Sequence, residues 1–155
     1  MSDSLVMVAV RDPEHAEDLM RLACQVSRGT GQELMAVSVA EIGPALPLDA
    51  DADILDRSAK AALAAAQRAA AAAGVKIGST LVRARAAGPA LVEEAQEHHA
   101  DLLILGYHGR LGLGEMLLGS CVQYVAAHAP CRVILQIIPA TASQARRAAA
   151  ATAAS

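Results

Sequence analysis

The sequence has almost no aromatic residues: its 155 residues include two tyrosines, no phenylalanine and no tryptophan. Proteins that bind single-stranded nucleic acid commonly stack bases on aromatic side chains, so this scarcity argues against that class of function. The net charge is −3 and no basic run exceeds Arg146–Arg147, which argues against a footprint on nucleic acid or an anionic membrane. We therefore expect small ligands, and no nucleic acid, as binding partners.

Cysteine is also scarce and is not arranged for a cross-link or a metal. Cys24, Cys121 and Cys131 are odd in number and far apart, with no C-x-x-C pair, so neither a disulfide framework nor a zinc site is predicted. No apolar stretch approaches the roughly 20 residues that span a bilayer. The apolar run Leu5–Val10 lacks the charged segment that precedes a secretory signal. We expect a cytoplasmic protein with reduced thiols and no direct membrane insertion.

Apolar segments alternate along the chain with segments of helical pattern. Strands are predicted at Leu5–Val10, Glu33–Ala40, Val75–Arg85, Leu102–Leu105 and Arg132–Ile138, and helices at Glu14–Arg28, Asp51–Ala73, Ala90–His99 and Gly119–Ala129. This alternation predicts an α/β fold with a parallel five-stranded sheet of order 3-2-1-4-5 and helices on both faces, a Rossmann-like arrangement. Residues 1–139 are expected to form one domain, and the alanine-rich residues 140–155 a flexible tail.

Glycines cluster around the predicted fourth strand and fourth helix. Gly106 and Gly109 follow the strand, and Gly119–Ser120 opens the helix. Glycine lets backbone approach a ligand closely, and the N–H groups at a helix start favour an anion. In a sheet of this order a ligand lies beyond the carboxyl ends of strands 1 and 4, which is where the glycines fall. The pattern predicts a nucleotide site; the alternative is that these glycines serve only turns.

The spacing from Gly106 to Ser120, G-x2-G-x9-G-S, resembles the universal stress protein family, and so do the following HAPC at His128–Cys131 and its apolar strand. The resemblance extends over about residues 4–138. It implies a dimeric α/β fold that binds ATP or AMP, with or without Mg²⁺. From the crevice and the resemblance together, the candidate nucleotide-binding residues are Val10, Arg11, Asp12, Val39, Leu105, Gly106, His108, Gly109, Arg110, Gly119, Ser120, Cys121 and Val122.

The resemblance also implies roles for these positions. Backbone of Gly106 and Gly109 would meet the ribose and phosphates, and backbone of Val39 would meet the adenine ring. Gly119 and Ser120 would hold phosphate, with the N–H groups of the next two residues as further donors. His108 and Arg110 would add positive charge, unless they are loop residues that face solvent.

The first strand departs from the family pattern at Arg11. Nucleotide-binding members commonly have an aspartate there, whose carboxylate accepts hydrogen bonds at the nucleoside end. Arginine only donates, and losing a charged hydrogen bond of roughly 1.5 to 3 kcal/mol weakens binding by about ten- to more than a hundredfold. Asp12 would substitute through a small backbone shift. Alternatively, Arg11 contacts a phosphate or a base and selects another nucleotide, or it is a solvated arginine on the rim.

We predict an adenine-nucleotide-binding stress-response or regulatory protein that acts through a nucleotide-dependent partner surface. The alternative is a dimeric interaction module without nucleotide, for example a transporter regulator, whose glycines are structural. No carboxylate pair or catalytic triad spacing is present, so at most slow ATP hydrolysis is expected. The last strand, residues 132–138, would form a long apolar sheet edge, which predicts a homodimer that covers it.

Overall fold

We describe the fold from a computed structural model, for residues 4–50, 53–107 and 119–137, without the side chains of Asp53 and Leu55. Within these ranges five strands alternate with four helices. The strands are β1 (Leu5–Ala9), β2 (Glu33–Glu41), β3 (Ile77–Ala84), β4 (Leu102–Tyr107) and β5 (Arg132–Ile137). The helices are α1 (Pro13–Ser27), α2 (Asp53–Ala72), α3 (Ala87–Glu97) and α4 (Ser120–His128).

The strands form one parallel sheet in the order β3-β2-β1-β4-β5, which confirms the predicted topology. Helices α1 and α2 pack on one face of the sheet, and α3 and α4 pack on the other. Helix α1, which follows β1, and helix α4, which follows β4, therefore diverge to opposite faces of the sheet. This divergence opens a crevice at the carboxyl ends of β1 and β4.

Two aliphatic cores hold these layers together, as the lack of aromatic residues requires. On the α1 and α2 face, small side chains let α2 lie close to its neighbours; the buried alanines of this helix are Ala59, Ala62, Ala65, Ala66, Ala69 and Ala70. On the other face, Met7, Val37, Leu103 and Val125 are fully buried. Burial of each such side chain contributes about 1.5 to 3 kcal/mol. No helix within the described ranges is long and apolar enough to cross a membrane.

Helix α1 begins where its sequence signals place it. Pro13 occupies the first helical position, and the Asp12 side chain caps the helix by accepting a hydrogen bond from the His15 N–H at 2.9 Å. Such caps contribute about 1 kcal/mol. The helix ends at Ser27, and Gly29 then adopts a positive φ of 88° that favours glycine.

The predicted start of the third helix at Ala90 is wrong. Helix α3 begins at Ala87 because the carboxylate of Glu41, at the end of β2, accepts a hydrogen bond from the Ala87 N–H at 3.0 Å. The N-cap residue Ala86 makes no side-chain cap itself. A residue distant in sequence therefore caps this helix. It ends at Glu97 rather than at the predicted His99, which has a positive φ of 51°.

The fourth strand was also predicted too short, with its end at Leu105. Strand β4 continues to Tyr107 because Gly106 pairs with Gln136 and Tyr107 pairs with Ile137 in β5. Gly106 therefore lies in the sheet rather than in the loop after it. The remaining described boundaries lie within two residues of the prediction; Ile138, predicted to end the last strand, and the predicted tail 140–155 lie outside the described residues.

Candidate functional site

The crevice beyond β1 and β4 is built mainly from backbone. The side chains of Val10 and Leu105 are buried, at 4% and 3% exposure, and belong to the cores. These two candidates therefore offer only main-chain atoms to a ligand. Gly106 is half-buried at the end of β4, and the remaining glycine-loop candidates His108, Gly109 and Arg110 lie outside the described residues.

The start of α4 forms one wall of the crevice. Gly119 is the N-cap in extended conformation, and it and Ser120 are exposed. Among the described residues, no atom lies within 4 Å of a Cβ built on Gly119, so none of them fills the space in front of the helix. The first intrahelical bond runs from the Gln123 N–H to the Gly119 carbonyl at 3.1 Å. The N–H groups of the first turn, Ser120 to Val122, therefore have no acceptor within the helix and can bind an anion.

Arg11 follows β1 at the rim of the same crevice. Its side chain is exposed, and among the described residues it forms no hydrogen bond or ion pair. Asp12, the predicted substitute acceptor, is engaged elsewhere: its Oδ1 caps α1 and lies 2.7 Å from His15 Nδ1. A backbone shift that brought Asp12 to the ligand would remove that cap. The guanidinium is thus available for an anion, whereas the neighbouring carboxylate is held by α1.

Two charges of opposite sign act on the pKa of the Cys121 thiol, which lies in the first turn of α4. Burial raises the pKa of its thiol, the negative charge of Glu41 raises it further, and the positive charge of Arg11 lowers it. The net effect is upward, so the thiol stays protonated at neutral pH and is a poor nucleophile.

Glu41 is the residue at this crevice that sequence reasoning missed. It is the last residue of β2, the strand next to β1, and its side chain is exposed. The strand was predicted to end at Ala40, which left Glu41 in the following loop. The sequence feature that could have identified it is an acidic residue two positions beyond the candidate Val39. Val39 itself is half-buried, packs against the α3 and α4 core, and pairs with Val82 of β3.

Two arginines, one in β3 and one directly after it, fix the β2–α2 loop (residues 42–50) beside Glu41. Arg83 forms a bidentate ion pair with Asp56 and donates a hydrogen bond to the Ala50 carbonyl at 2.9 Å. Arg85, which follows the strand, donates to the carbonyls of Gly43 and Leu46 at 2.6 and 2.5 Å. Sequence reasoning missed this clamp too. The sequence feature that could have predicted these contacts is the two-residue spacing of Arg83 and Arg85, which places both on one face of an extended chain.

The model of the universal stress protein family matches residues 5–135 of this chain. The chain belongs to this family.

A universal stress protein of Methanocaldococcus jannaschii is 29% identical over 119 residues, which cover 73% of this chain and 69% of that protein. The universal stress protein of Archaeoglobus fulgidus, solved in complex with dAMP, is 22% identical with a TM-score of 0.68 and covers 87% of this chain and 98% of its own. Another universal stress protein, solved in complex with cAMP, is 27% identical with a TM-score of 0.61 over 86% and 95% of the two chains. The predicted family and fold are thereby confirmed.

The described crevice of this universal stress protein combines three chemical features. N–H groups that have no acceptor within the helix, together with Arg11, favour negative charge at the start of α4. The Glu41 carboxylate accepts hydrogen bonds at the end of β2. Among the described residues, no side chain occupies the space next to Gly119. The arrangement suits a small anionic ligand that also carries hydrogen-bond donors.

Proposed function

We propose that this universal stress protein binds an adenine nucleotide, ATP or AMP, in the crevice between β1 and β4. Nucleotide binding alters a surface that a regulatory partner recognises, and the protein acts in this way in a stress response. The observation that carries the proposal is the start of α4, where N–H groups without an acceptor in the helix lie beside Gly119, and no described atom lies within 4 Å of a Cβ built there. The solved relatives with dAMP and cAMP support it, since both ligands are adenine nucleotides.

The charges at the crevice favour the phosphate of such a ligand. A helix start attracts an anion by about 0.3 to 1 kcal/mol at an exposed position, and each hydrogen bond from a charged donor adds about 1.5 to 3 kcal/mol. Arg11 is such a donor and has no competing carboxylate within 4 Å among the described residues. We infer that Arg11 contacts the phosphate rather than the nucleoside. The Ser120 hydroxyl is a further phosphate donor.

Added adenine nucleotide is expected to raise the melting temperature of the protein. At one hundred times the dissociation constant, a ligand that binds only the folded state stabilises it by about 2.7 kcal/mol. For a chain of this size that corresponds to roughly 5 to 11 °C. Differential scanning fluorimetry with ATP and AMP, with and without Mg²⁺, measures the shift, with adenosine as the control that lacks phosphate. An unchanged melting temperature at millimolar concentrations of every adenine nucleotide would refute the proposal.

A second candidate function is an interaction module that binds no nucleotide. Arg11 in place of an acceptor and the engagement of Asp12 by α1 favour it, because both remove acceptors from the nucleoside side. This candidate gives no melting shift with nucleotide while the fold remains intact. A partner would then be bound equally well with and without ATP, which separates the two candidates.

We further propose that the protein is a homodimer through its last strand, residues 132–138. β5 is a sheet edge, and its apolar residues Val133, Ile134 and Leu135 are only half-buried. Ile137, at the end of this strand, is 42% exposed. A second copy that pairs along this edge would satisfy its backbone groups and bury these side chains. The twofold-related strand is the simplest cover for such an edge.

Sedimentation velocity at micromolar concentration is expected to give a particle of two 15.9 kDa chains. Ile137→Lys should dissociate it, because a lysine ammonium would be buried against apolar partners at the interface. Leu46→Lys is the matched control, since Leu46 has similar exposure, 46%, but lies in the β2–α2 loop. A monomer for the unmodified protein, or equal dissociation of both variants, would contradict this interface.

A further inference from the structure

We propose that Glu41 supplies the hydrogen-bond acceptor for the ribose hydroxyls that the replacement of the usual aspartate by Arg11 has removed. In this arrangement the acceptor lies at the end of β2 rather than at the end of the neighbouring strand β1. This inference rests on the proposed nucleotide site and assigns one residue within it. It adds a specificity-determining side chain to a crevice otherwise built from backbone and Arg11.

The sheet places Glu41 on the correct face of the crevice. Side chains alternate along a strand, so Glu41 shares a face with Val37 and Val39. Both valines pack on the core covered by α3 and α4. The start of α4 lies on that same face, and so does the phosphate position proposed there. The Val10 N–H donates to the Val37 carbonyl at 2.9 Å, so β1 and β2 stay paired as they enter the crevice.

The Glu41 carboxylate is held in position rather than free to swing. Its Oε1 accepts the Ala87 N–H at 3.0 Å. The next residue, Ile42, is fully buried, and its N–H donates to the Ala84 carbonyl at 2.8 Å. Arg85 then holds the following carbonyl of Gly43 at 2.6 Å. A group ordered before binding loses less conformational entropy when the ligand arrives, which favours a role in recognition.

The carboxylate also retains acceptor capacity. A carboxylate has about four acceptor positions on two oxygens, and a ribose hydroxyl is a suitable donor. Among the residues that the structure describes, Ala87 is the one hydrogen-bond donor to Glu41, and it binds Oε1. The side chain is exposed. Oε2 can therefore accept from a ligand without giving up the cap of α3.

Proximity to the phosphate position favours the ribose over the base as the donor. Glu41 ends β2, Arg11 follows the neighbouring strand β1, and Cys121 in the first turn of α4 packs against the same core as Val39. The ribose is the part of a nucleotide that is joined directly to the phosphate. A phosphate held by α4 and Arg11 therefore brings the ribose, before the base, to this carboxylate. In this arrangement the Arg11 guanidinium binds the phosphate, and the Glu41 carboxylate accepts hydrogen bonds from the ribose hydroxyls.

Calorimetric titration of AMP and 2′,3′-dideoxy-AMP into the full-length protein and its Glu41→Gln variant tests the inference. Glutamine keeps an oxygen for the Ala87 N–H, so the cap of α3 survives, but the charged acceptor is lost. We expect the unmodified protein to prefer AMP over the dideoxy analogue by about ten- to a hundredfold. In Glu41→Gln that preference should largely vanish, through weaker AMP binding alone. Glu33→Gln, also exposed but at the opposite end of β2, should keep it.

The outcomes separate this inference from the proposed function. If the unmodified protein binds AMP and its dideoxy analogue equally, Glu41 is not a ribose acceptor, whatever the variant does. If Glu41→Gln weakens both ligands to the same extent, the carboxylate does not recognise the ribose hydroxyls. In both cases the nucleotide site stands and the Glu41 assignment fails. If the unmodified protein binds no adenine nucleotide, the proposed function itself fails.

Discussion

Gly119→Val is expected to abolish nucleotide binding while leaving the protein folded. The glycine φ of −58° is accessible to valine, and a Cβ there meets no atom of the described residues within 4 Å, so we expect the fold to tolerate the side chain at a cost of about 1 kcal/mol or less. The same side chain occupies the open space in front of the free N–H groups of α4. A phosphate displaced from them loses at least two charged hydrogen bonds. We expect an affinity at least about a hundredfold lower.

The measurement is calorimetric titration with ATP and AMP alongside thermal unfolding. Gly119→Ala is the graded variant, since a single methyl group fills less of the space and should cost less affinity. Gly78→Ala is the control, because it lies near the start of β3, away from the crevice, and its Cβ makes only an ordinary contact with Met35 Cγ at 3.7 Å. Undiminished affinity in Gly119→Val would show that the start of α4 does not hold the phosphate.

Gly88→Val is expected to destabilise the fold by about 3 kcal/mol or more. Gly88 is buried in α3, and a Cβ there would lie 2.9 Å from the Cβ of Tyr124 and 3.2 Å from two of its ring atoms. The Tyr124 Cβ is fixed to the backbone of α4 and cannot move aside. The Tyr124 ring is also stacked on His128, with centroids 4.1 Å apart, so its displacement disturbs a second contact. The two helices must separate to admit the valine.

Thermal or urea unfolding of Gly88→Val measures this loss, which corresponds to roughly 6 to 12 °C in melting temperature. Glu93→Val introduces the same side chain on the exposed side of α3 and should change stability by no more than about 0.5 kcal/mol. Because α4 carries the candidate phosphate position, Gly88→Val should also weaken nucleotide binding. Equal stability of the two variants would show that α3 and α4 can separate without cost.

Much of the fold was predictable because its signals are local. Apolar runs, glycine stops and the Pro13 start depend on residues close in sequence, and they located every described element. The order of strands followed from the alternation of strands and helices, since parallel strands joined by helices admit few arrangements. The boundaries that were predicted wrongly are those set by contact with a residue distant in sequence. Glu41 starts α3 early, and pairing with β5 extends β4 past Gly106.

The candidate site likewise has features that depend on local sequence and features that depend on tertiary contacts. The sequence by itself determined the glycine spacing and the arginine at position 11, and it indicated the family, because these depend on residue type and order. Only the tertiary structure decided that the Asp12 side chain caps α1, and that Glu41, at the end of the strand beside β1, caps α3. The physical reason is that a carboxylate acquires its role from the donors that surround it, and parallel pairing brings those donors from separate strands and helices.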